Sequence, residues 1–258
     1  MAENSGIEWT QHTWNPWQGC RKMSAGCWNC YMFRDKKRYG QDPTDVHRSS
    51  KATFDMPLRV RKPGVFFVCS WSDFFIHDAD DWRDDAWDIM RRCPQHVFQI
   101  LTKRVGNMHG RLPHDWGRGW PNVWLGVTVE NNEAIPRVWD LVTIPAAVHF
   151  VSHEPALEPL DWLQVFQDGK NQRRCIDWVI AGCESAGGKR PGRPTSIDTL
   201  RAARNFCSYY KVPFFLKQRE VDGQVVKMPK LDGTVWAQMP EVVTVRHIES
   251  GAMQTLML

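Results

Sequence analysis

The sequence lacks the features of a membrane or secreted protein. No apolar run approaches the roughly 20 residues that a membrane-spanning helix requires. The first residues, MAENSGIEWTQ, contain neither the basic segment nor the apolar segment of a secretory signal. Charge imbalance is also small, since 33 Lys and Arg residues oppose 29 Asp and Glu residues for a net charge of +4. We therefore expect a cytoplasmic protein without a membrane partner, whose charge permits contact with nucleic acid without requiring it.

Internal repeats and low-complexity tracts are missing too, but one pattern recurs: a short apolar run that ends abruptly in polar residues. The clearest cases are GVFFVCSWSD (64–73), HVFQILTKR (96–104), NVWLGVTVENN (122–132), AVHFVSHEP (147–155), DWVIAGCES (177–185) and VPFFLKQ (212–218). Apolar runs of this length without alternation are typical of strands covered on both faces, as in a parallel sheet. The segment HTWNPWQGC predicts a further strand before them.

Helical signals lie between these predicted strands. The segment 77–94 has aspartates near its beginning and arginines near its end, which complements the helix dipole. Segments 132–142 and 196–211 are also predicted as helices, the latter with Ser196 as its N-cap. Strands that alternate with helices predict an α/β fold.

About seven strand–helix steps predict a partial or near-complete (β/α) barrel. We assign residues 1–218 to this barrel, with a cysteine loop near its N-terminus. Two Asp-Gly turns within 221–241 predict a β-hairpin, so residues 219–258 are assigned to a small extension packed on the barrel.

Polar side chains at the predicted strand ends should meet at one edge of the sheet, because the carboxyl ends of parallel strands share that edge. They are Cys20; Ser70, Ser72 and Asp73; Thr102, Lys103 and Arg104; Glu130, Asn131 and Asn132; His153 and Glu154; Glu184 and Ser185; Lys217 and Gln218. A purely structural barrel has no need of so many polar groups at one edge, and unpaired buried charges are costly. The pattern predicts an enzyme.

Three of the eight cysteines fall within the segment WNPWQGCRKMSAGCWNCY, at Cys20, Cys27 and Cys30. Disulfides are uncommon in cytosolic proteins, which favours a metal site. A structural zinc site normally has four ligands, and no fourth cysteine is close in sequence. Three thiolates on a four-iron cluster would instead leave one iron open for a cofactor. Spacing alone leaves zinc and iron–sulfur as alternatives, and a position after the first barrel strand favours a radical S-adenosylmethionine enzyme. The remaining cysteines are predicted to be small buried apolar residues: Cys69, Cys93, Cys175, Cys183 and Cys207.

Seven segments occur in an order that resembles a known family. They are IEWTQHTWNPWQGCRKMSAGCWNCY, SWSDFF, LTKR, LGVTVEN, SHEPAL, WVIAGCES and VPFFLKQ. They resemble a phage- and prophage-associated family that has long been catalogued as a domain of unknown function and is treated as radical-SAM-like. The cysteine spacing C-x6-C-x2-C is wider than the C-x3-C-x2-C common in radical SAM enzymes.

The resemblance implies a [4Fe-4S] cluster, S-adenosyl-L-methionine (SAM) and an electron donor such as flavodoxin or ferredoxin. The open iron would bind the methionine part of SAM, and reductive cleavage would give a radical that takes a hydrogen atom from the substrate. The implied cluster ligands are Cys20, Cys27 and Cys30. The implied SAM contacts are Ser70, Ser72, Asp73, Lys103, Glu130, Asn131 and Ser185. Substrate contact or proton handling is left to Glu154, Glu184 and Lys217.

The resemblance also raises DNA or a nucleotide as the substrate, with host cytoplasm as the location of a phage-encoded enzyme. The expected reaction is isomerisation or hypermodification of a thymine-type base, which would be flipped into the barrel mouth. Fourteen tryptophans suit both a core and base stacking. The candidate phosphate contacts are Arg34, Lys36, Lys37 and Arg38; Arg59, Arg61 and Lys62; and GKRPGRP (188–194).

Two other functions fit the same residues. One is a radical SAM lyase that splits thymine photoproducts in DNA. The other is a non-catalytic zinc-binding module that docks nucleic acid through its tryptophans. Metal content separates the zinc module from the enzymes, and the choice of DNA substrate separates the two enzymes.

Overall fold

A computed structural model describes residues 5–166, 176–185 and 192–241 of the chain. The strands in these ranges are β1 His12–Trp14, β2 Trp17–Gln18, β3 His47–Arg48, β4 Val65–Val68, β5 Val97–Thr102, β6 Val123–Thr128, β7 Val148–His153, β8 Trp178–Gly182, β9 Phe214–Val221, β10 Gln224–Lys227, β11 Lys230–Leu231 and β12 Thr234–Val235. Each apolar run identified in the sequence forms a strand. The predicted strands are therefore confirmed.

The α-helices in the same ranges are α1 Tyr31–Arg38, α2 Lys51–Phe54, α3 Met56–Arg59, α4 Asp80–Arg92, α5 Pro136–Leu141, α6 Trp162–Phe166 and α7 Ile197–Tyr210. Ser196 caps α7 as predicted, because its side chain accepts a hydrogen bond from the Asp198 N–H at 3.1 Å. Short 3-10 turns follow several strands, including Ala25–Cys27 in the cysteine loop and Val105–Asn107 after β5. Within the described residues, no helix has the length and apolarity to cross a bilayer.

One eight-stranded sheet organises the fold, in the order β1-β4-β5-β6-β7-β8-β9-β10. Neighbours from β1 to β9 pair in parallel, and β10 adds an antiparallel edge. The sheet curls into a half-barrel and its two edge strands do not pair with each other. An α/β fold with a partial barrel is therefore confirmed, and the carboxyl ends of seven parallel strands face one edge.

Two clusters of buried apolar side chains pack against this sheet. The larger one fills the space between the sheet and the helices on its outer face. The smaller one fills the inner face and consists of Trp9, Phe67, Val97, Trp124, Val148, Phe150, Trp178, Ile180 and Phe215. Gly126 lies beneath the Phe150 ring, and a Cβ there would come within 2.4 Å of it. The lower part of the half-barrel is thus solidly packed, which leaves the carboxyl edge for a cavity.

The predicted hairpin is also present. Asp222 and Gly223 have positive φ values of 50° and 76° and join β9 to β10. Asp232 and Gly233 do the same between β11 and β12, with φ values of 51° and 82°. The first hairpin extends the main sheet, so β9 continues through the boundary placed between residues 218 and 219. The last 17 residues of the predicted extension, 242–258, lie outside the described residues.

Candidate active site at the carboxyl edge of the sheet

A cavity of about 490 Å³ opens where the parallel strands end. Its wall includes all three clustered cysteines, Cys20, Cys27 and Cys30. Most of the other predicted site residues line the same cavity: Ser70, Ser72, Asp73, Lys103, Glu154, Ser185 and Lys217. A cavity of this size suits a small ligand or cofactor. Side chains from positions 20 to 217 of the chain therefore meet in one place, as the strand-end pattern predicted.

Three predicted site residues lie outside this cavity wall: Glu130, Asn131 and Glu184. Asn131 donates a hydrogen bond to Glu133 at 3.4 Å, on the exposed side of the loop after β6. The two glutamates are buried behind the cysteine loop. Their predicted contact with SAM or substrate stays a prediction, and their position gives them a supporting role.

The three cysteines are free thiols and partly buried. Arg104 Nη1 donates toward Cys20 Sγ at 4.0 Å. Burial and, to a smaller extent, the Asp73 carboxylate raise the pKa of Cys20 to about 12. Burial also raises the pKa of Cys27, but the nearby Lys103 ammonium and backbone hydrogen bonds leave its pKa below the usual value. The Lys103 ammonium thus favours the thiolate form of Cys27, whereas the surroundings of Cys20 favour its neutral thiol.

Three thiols are the donor set that a [4Fe-4S] cluster with one open iron would require. Across the described ranges, no three His, Cys, Asp or Glu side chains converge closely enough to hold one metal ion. In a four-iron cluster each thiolate binds a different iron, so the thiolates surround the cluster without meeting at one point. Cys69 lines the same cavity, is 3% exposed and has a φ of 62°. The prediction that the cysteines outside the loop are buried is confirmed for Cys69, Cys93, Cys183 and Cys207. Cys175 lies outside the described residues.

Glu130 supports the cysteine loop from below. Its side chain is fully buried, and its Oε1 accepts a hydrogen bond from the Gly26 N–H at 3.2 Å. Arg137 Nη1 donates to Oε2 at 2.7 Å. A Cβ at position 26 would lie 3.2 Å from Glu130 Cδ and 3.3 Å from Lys103 Cε, so glycine permits the close approach. Burial raises the pKa of Glu130, but Lys103 and Arg137 lower it more, and the group remains charged.

Glu184 supports the same loop from the other side. Its Oε2 accepts a hydrogen bond from Asn29 Nδ2 at 2.7 Å and from the Arg193 N–H at 2.9 Å. The Arg193 guanidinium also pairs with this carboxylate. Because Gly26 precedes Cys27 and Asn29 precedes Cys30, Glu130 holds the backbone next to one thiol and Glu184 holds the side chain next to another.

Asp73 joins the ends of two strands below the cavity. Its carboxylate accepts hydrogen bonds from Thr102 Oγ1 at 2.6 Å, from the Lys103 N–H at 3.1 Å and from Arg104 Nη1 at 3.4 Å. It also accepts the Phe75 N–H at 3.0 Å. Asp73 is 5% exposed, so these bonds compensate its burial. Through these hydrogen bonds, the Asp73 carboxylate chiefly holds the ends of β4 and β5 in position.

The predicted serines are also engaged in the loop framework. Ser72 Oγ donates to the Gly19 carbonyl at 2.6 Å, and Ser70 Oγ donates to Asn15 Oδ1 at 3.3 Å. Ser185 Oγ accepts from Gln218 Nε2 at 2.9 Å. Lys103 differs from them, because its ammonium lies in the cavity wall and donates a hydrogen bond to Thr128 Oγ1 at 3.3 Å rather than to a group of the loop framework. It is the best-placed cation for an anionic ligand group beside the thiols.

A second polar group occupies another part of the cavity wall. Lys217 Nζ lies 3.2 Å from Glu154 Oε1, an ion pair whose angle is too poor for a hydrogen bond. Lys227 Nζ lies 2.6 Å from Glu8 Oε1. Trp9 lies beside them in the wall. Sequence reasoning missed Glu8, Trp9 and Lys227, because they come from the segment before β1 and from the hairpin.

His153 is the last residue of β7, but it is buried and does not line the cavity, so its role is structural. It is fully buried and its Nδ1 donates to the Val129 carbonyl at 2.6 Å. Burial lowers the pKa of His153 to about 4. The imidazole is therefore neutral in the folded protein at neutral pH.

This shift predicts a loss of stability in mild acid. Between pH 6.5 and 4 the unfolded chain binds a proton at His153 that the folded chain does not, so the free energy of unfolding falls as the pH falls. From pH 7 to pH 5 we expect a loss of about 2 kcal/mol from this residue. Urea unfolding at both pH values would measure it, with His153→Gln as the variant that lacks the titration. An equal decline in the variant would contradict the assignment.

The predicted phosphate contacts fall into separate places. Lys36 is 1% exposed and faces the interior, so its prediction as a phosphate contact is wrong. Arg59, Arg61 and Lys62 line a separate cleft with His12, near the amino ends of β1 and β4, opposite the cysteine loop. Within GKRPGRP, residues 188–191 lie outside the described residues, and Arg193 is held by Glu184.

A family model described as "Protein of unknown function (DUF5131)" matches residues 4–240. No curated protein and no solved structure matches the chain. The matched residues include the whole cavity wall.

Proposed function

We propose that this chain, which belongs to the DUF5131 family, is a radical SAM enzyme that acts on a thymine-type base in DNA. Cys20, Cys27 and Cys30 would bind a [4Fe-4S] cluster, and S-adenosylmethionine would occupy the adjoining cavity. The reaction we propose is isomerisation or hypermodification of the base. One observation carries this proposal: three free thiols from one loop line the same cavity as the polar ends of the parallel strands.

The cavity residues suit such a cofactor pair. When bound, the cluster and S-adenosylmethionine would supply one-electron reduction and hydrogen-atom abstraction. The Lys103 ammonium lies near both Cys27 and Glu130, where it can offset thiolate charge or bind a carboxylate. Glu130 holds the Gly26 backbone beside Cys27, and Glu184 holds the Asn29 side chain beside Cys30. A rigid loop of this kind keeps the ligands in place and excludes water from the cavity.

Glu154 and Lys217 suit proton handling at the substrate. Their charged groups lie 3.2 Å apart in the cavity wall, with exposed side-chain fractions of 12% and 19%. Ser152 Oγ adds a hydrogen bond to Glu154 Oε2 at 3.4 Å. A carboxylate and an ammonium at this distance can hold or release a proton once a substrate group approaches either of them.

Charge and exposed aromatic surface support a nucleic-acid substrate. Residues 21–39 contain six basic residues and one acidic residue, a net charge of +5 against +4 for the whole chain. Trp28 in this segment is 71% exposed, and the Lys22 ammonium lies 5.7 Å from its ring centre. Exposed rings within basic surroundings are typical of surfaces that stack unpaired bases. An acidic electron donor such as flavodoxin or ferredoxin would favour the same surface.

The proposal is tested by anaerobic reconstitution followed by incubation with reductant and S-adenosylmethionine. We expect a brown protein with about four irons per chain and formation of 5′-deoxyadenosine, detected by mass spectrometry. DNA that contains modified thymine should increase product formation, and ultraviolet-irradiated DNA tests for a lyase instead. A colourless protein with one zinc ion per chain would overturn the proposal and favour the docking module.

A further inference from the structure

We propose that Trp9, Glu8 and Glu154 form a substrate subsite for a neutral group with adjoining N–H and C=O functions, such as the imide edge of a thymine-type base. The inference deepens the proposed function and rests on it for the identity of the base. The subsite itself is argued from buried polar atoms that have no hydrogen bond among the described residues.

Trp9 provides the first of these atoms. Its side chain is 2% exposed and lines the cavity, and its Nε1 has no hydrogen-bond partner among the described residues. A buried indole N–H normally finds an acceptor, because an unpaired buried donor is unfavourable. The ring is held by Phe67, at a centroid distance of 4.6 Å, and by Trp178 at 6.0 Å. Packing therefore fixes a donor that a ligand acceptor can satisfy.

The two carboxylates provide acceptors in the same wall. Glu8 Oε2 and Glu154 Oε1 are buried and have no hydrogen bond within the part of the chain that the structure describes, although the Lys217 ammonium lies 3.2 Å from Glu154 Oε1. The N-terminal segment carries Glu8, and the loop after β7 carries Glu154. Both side chains line the cavity. Three residues of one cavity wall thus carry buried polar atoms that have no hydrogen bond in the described fold.

The charges in this region favour a neutral ligand. Lys227 pairs with Glu8 at 2.6 Å and Lys217 pairs with Glu154 at 3.2 Å, so two ammonium groups balance two carboxylates. A cationic amine would meet both lysines, and an anion would meet both glutamates. An imide carries an N–H between two carbonyl oxygens, which matches a carboxylate acceptor flanked by the indole N–H and an ammonium donor.

The sharpest test compares two nucleosides on the full, anaerobically reconstituted chain. Ligand-observed NMR would measure the dissociation constants of thymidine and of 3-methylthymidine, in which a methyl group replaces the imide hydrogen. We expect 3-methylthymidine to bind at least about tenfold more weakly, because the carboxylate acceptor then has no donor. Equal binding of the two nucleosides would overturn the subsite, as would the absence of thymidine binding at millimolar concentration.

Trp9→Phe isolates the indole N–H. Nε1 has no partner in the described fold, so the substitution removes no internal hydrogen bond, and we expect thymidine to bind about tenfold more weakly. Trp162→Phe is the matched control: Trp162 is 1% exposed and its Nε1 also lacks a partner among the described residues, but it lies outside the cavity wall. We expect unchanged binding in this control. Equal weakening in both variants would show a general packing effect and overturn the subsite.

The outcome is separable from that of the proposed function. Iron content and cleavage of S-adenosylmethionine, measured on the same preparation, test the cluster, and nucleoside binding tests the subsite. A chain that loads no iron but discriminates thymidine from 3-methylthymidine would keep the subsite and refute the radical chemistry. A chain that cleaves S-adenosylmethionine but binds both nucleosides alike would support the radical chemistry and refute the subsite.

Discussion

Replacement of Cys27 by alanine is expected to abolish assembly of the iron–sulfur cluster. The variant would lose one of the three proposed thiol ligands, and neither the loop nor the described cavity wall near it supplies a histidine in its place. We expect iron to fall from about four per chain to background. Cleavage of S-adenosylmethionine should fall by at least about 100-fold, a loss no smaller than those seen for outer residues of metal sites. Iron analysis and detection of 5′-deoxyadenosine would measure the two effects.

Cys69→Ala is the informative control for this experiment. Cys69 lies in the same cavity wall, and the charge of Cys20 contributes to its raised pKa, so it is the nearest alternative thiol in the described chain. If three cysteines bind the cluster and leave one iron open, Cys69→Ala retains its iron. A loss of iron equal to that of Cys27→Ala would mean that four thiols complete the coordination, and the open site would be gone. Cys207→Ala in α7 reports the effect of removing a buried thiol far from the cavity.

Glu130→Ala is expected to destabilise the protein by about 3 kcal/mol, because it leaves the partly buried Arg137 guanidinium with the Thr128 carbonyl but without its carboxylate. The substitution also frees the Gly26 N–H beside Cys27. For a chain of this length we expect a fall in melting temperature of about 10 °C, measured by calorimetry or dye binding. Retention of iron should fall as well, since the loop backbone loses its anchor.

Two other variants distinguish the loss of the Glu130 charge from the effect of removing any glutamate in this loop. Glu133→Ala removes an exposed carboxylate three residues away, and we expect a change within about 0.5 kcal/mol. Glu130→Gln keeps an acceptor for Gly26 but removes the charge, so its stability should lie between those of the wild type and Glu130→Ala. Equal stability of Glu130→Ala and the wild type would show that Arg137 finds another partner.

Much of the fold could be predicted because strands, helix caps and tight turns depend on residues that are close together in the sequence. The apolar run at 96–104 became β5, and Ser196 became the cap of α7, since both depend on residues adjacent in sequence. The same holds for the Asp-Gly turn before β10. The boundary at residue 218 had no such local signal. Strand β9 continues across it because its pairing with β10 carries the sheet onward.

The site could be predicted only in part, because its contacts join distant positions. Residues that directly follow strands reached the cavity, as Lys103 and Lys217 do. The hydrogen bond from Asn29 to Glu184 spans 155 positions, and no local pattern reveals it. Trp9 gave no signal either, since a tryptophan before a strand reads as core. Its unpaired N–H becomes visible only when the neighbouring rings and the cavity are seen together.

The concentration of positive charge in residues 21–39 also has a consequence at long range. Because the remaining residues sum to slightly below zero, the net positive charge of the chain is concentrated in the cysteine loop and α1, where it creates a positive local field. Such a field turns an approaching polyanion before contact and speeds its capture. Added salt, which shortens the Debye length to about 8 Å at physiological ionic strength, would slow this encounter while leaving the short-range fit of a base in the cavity almost untouched.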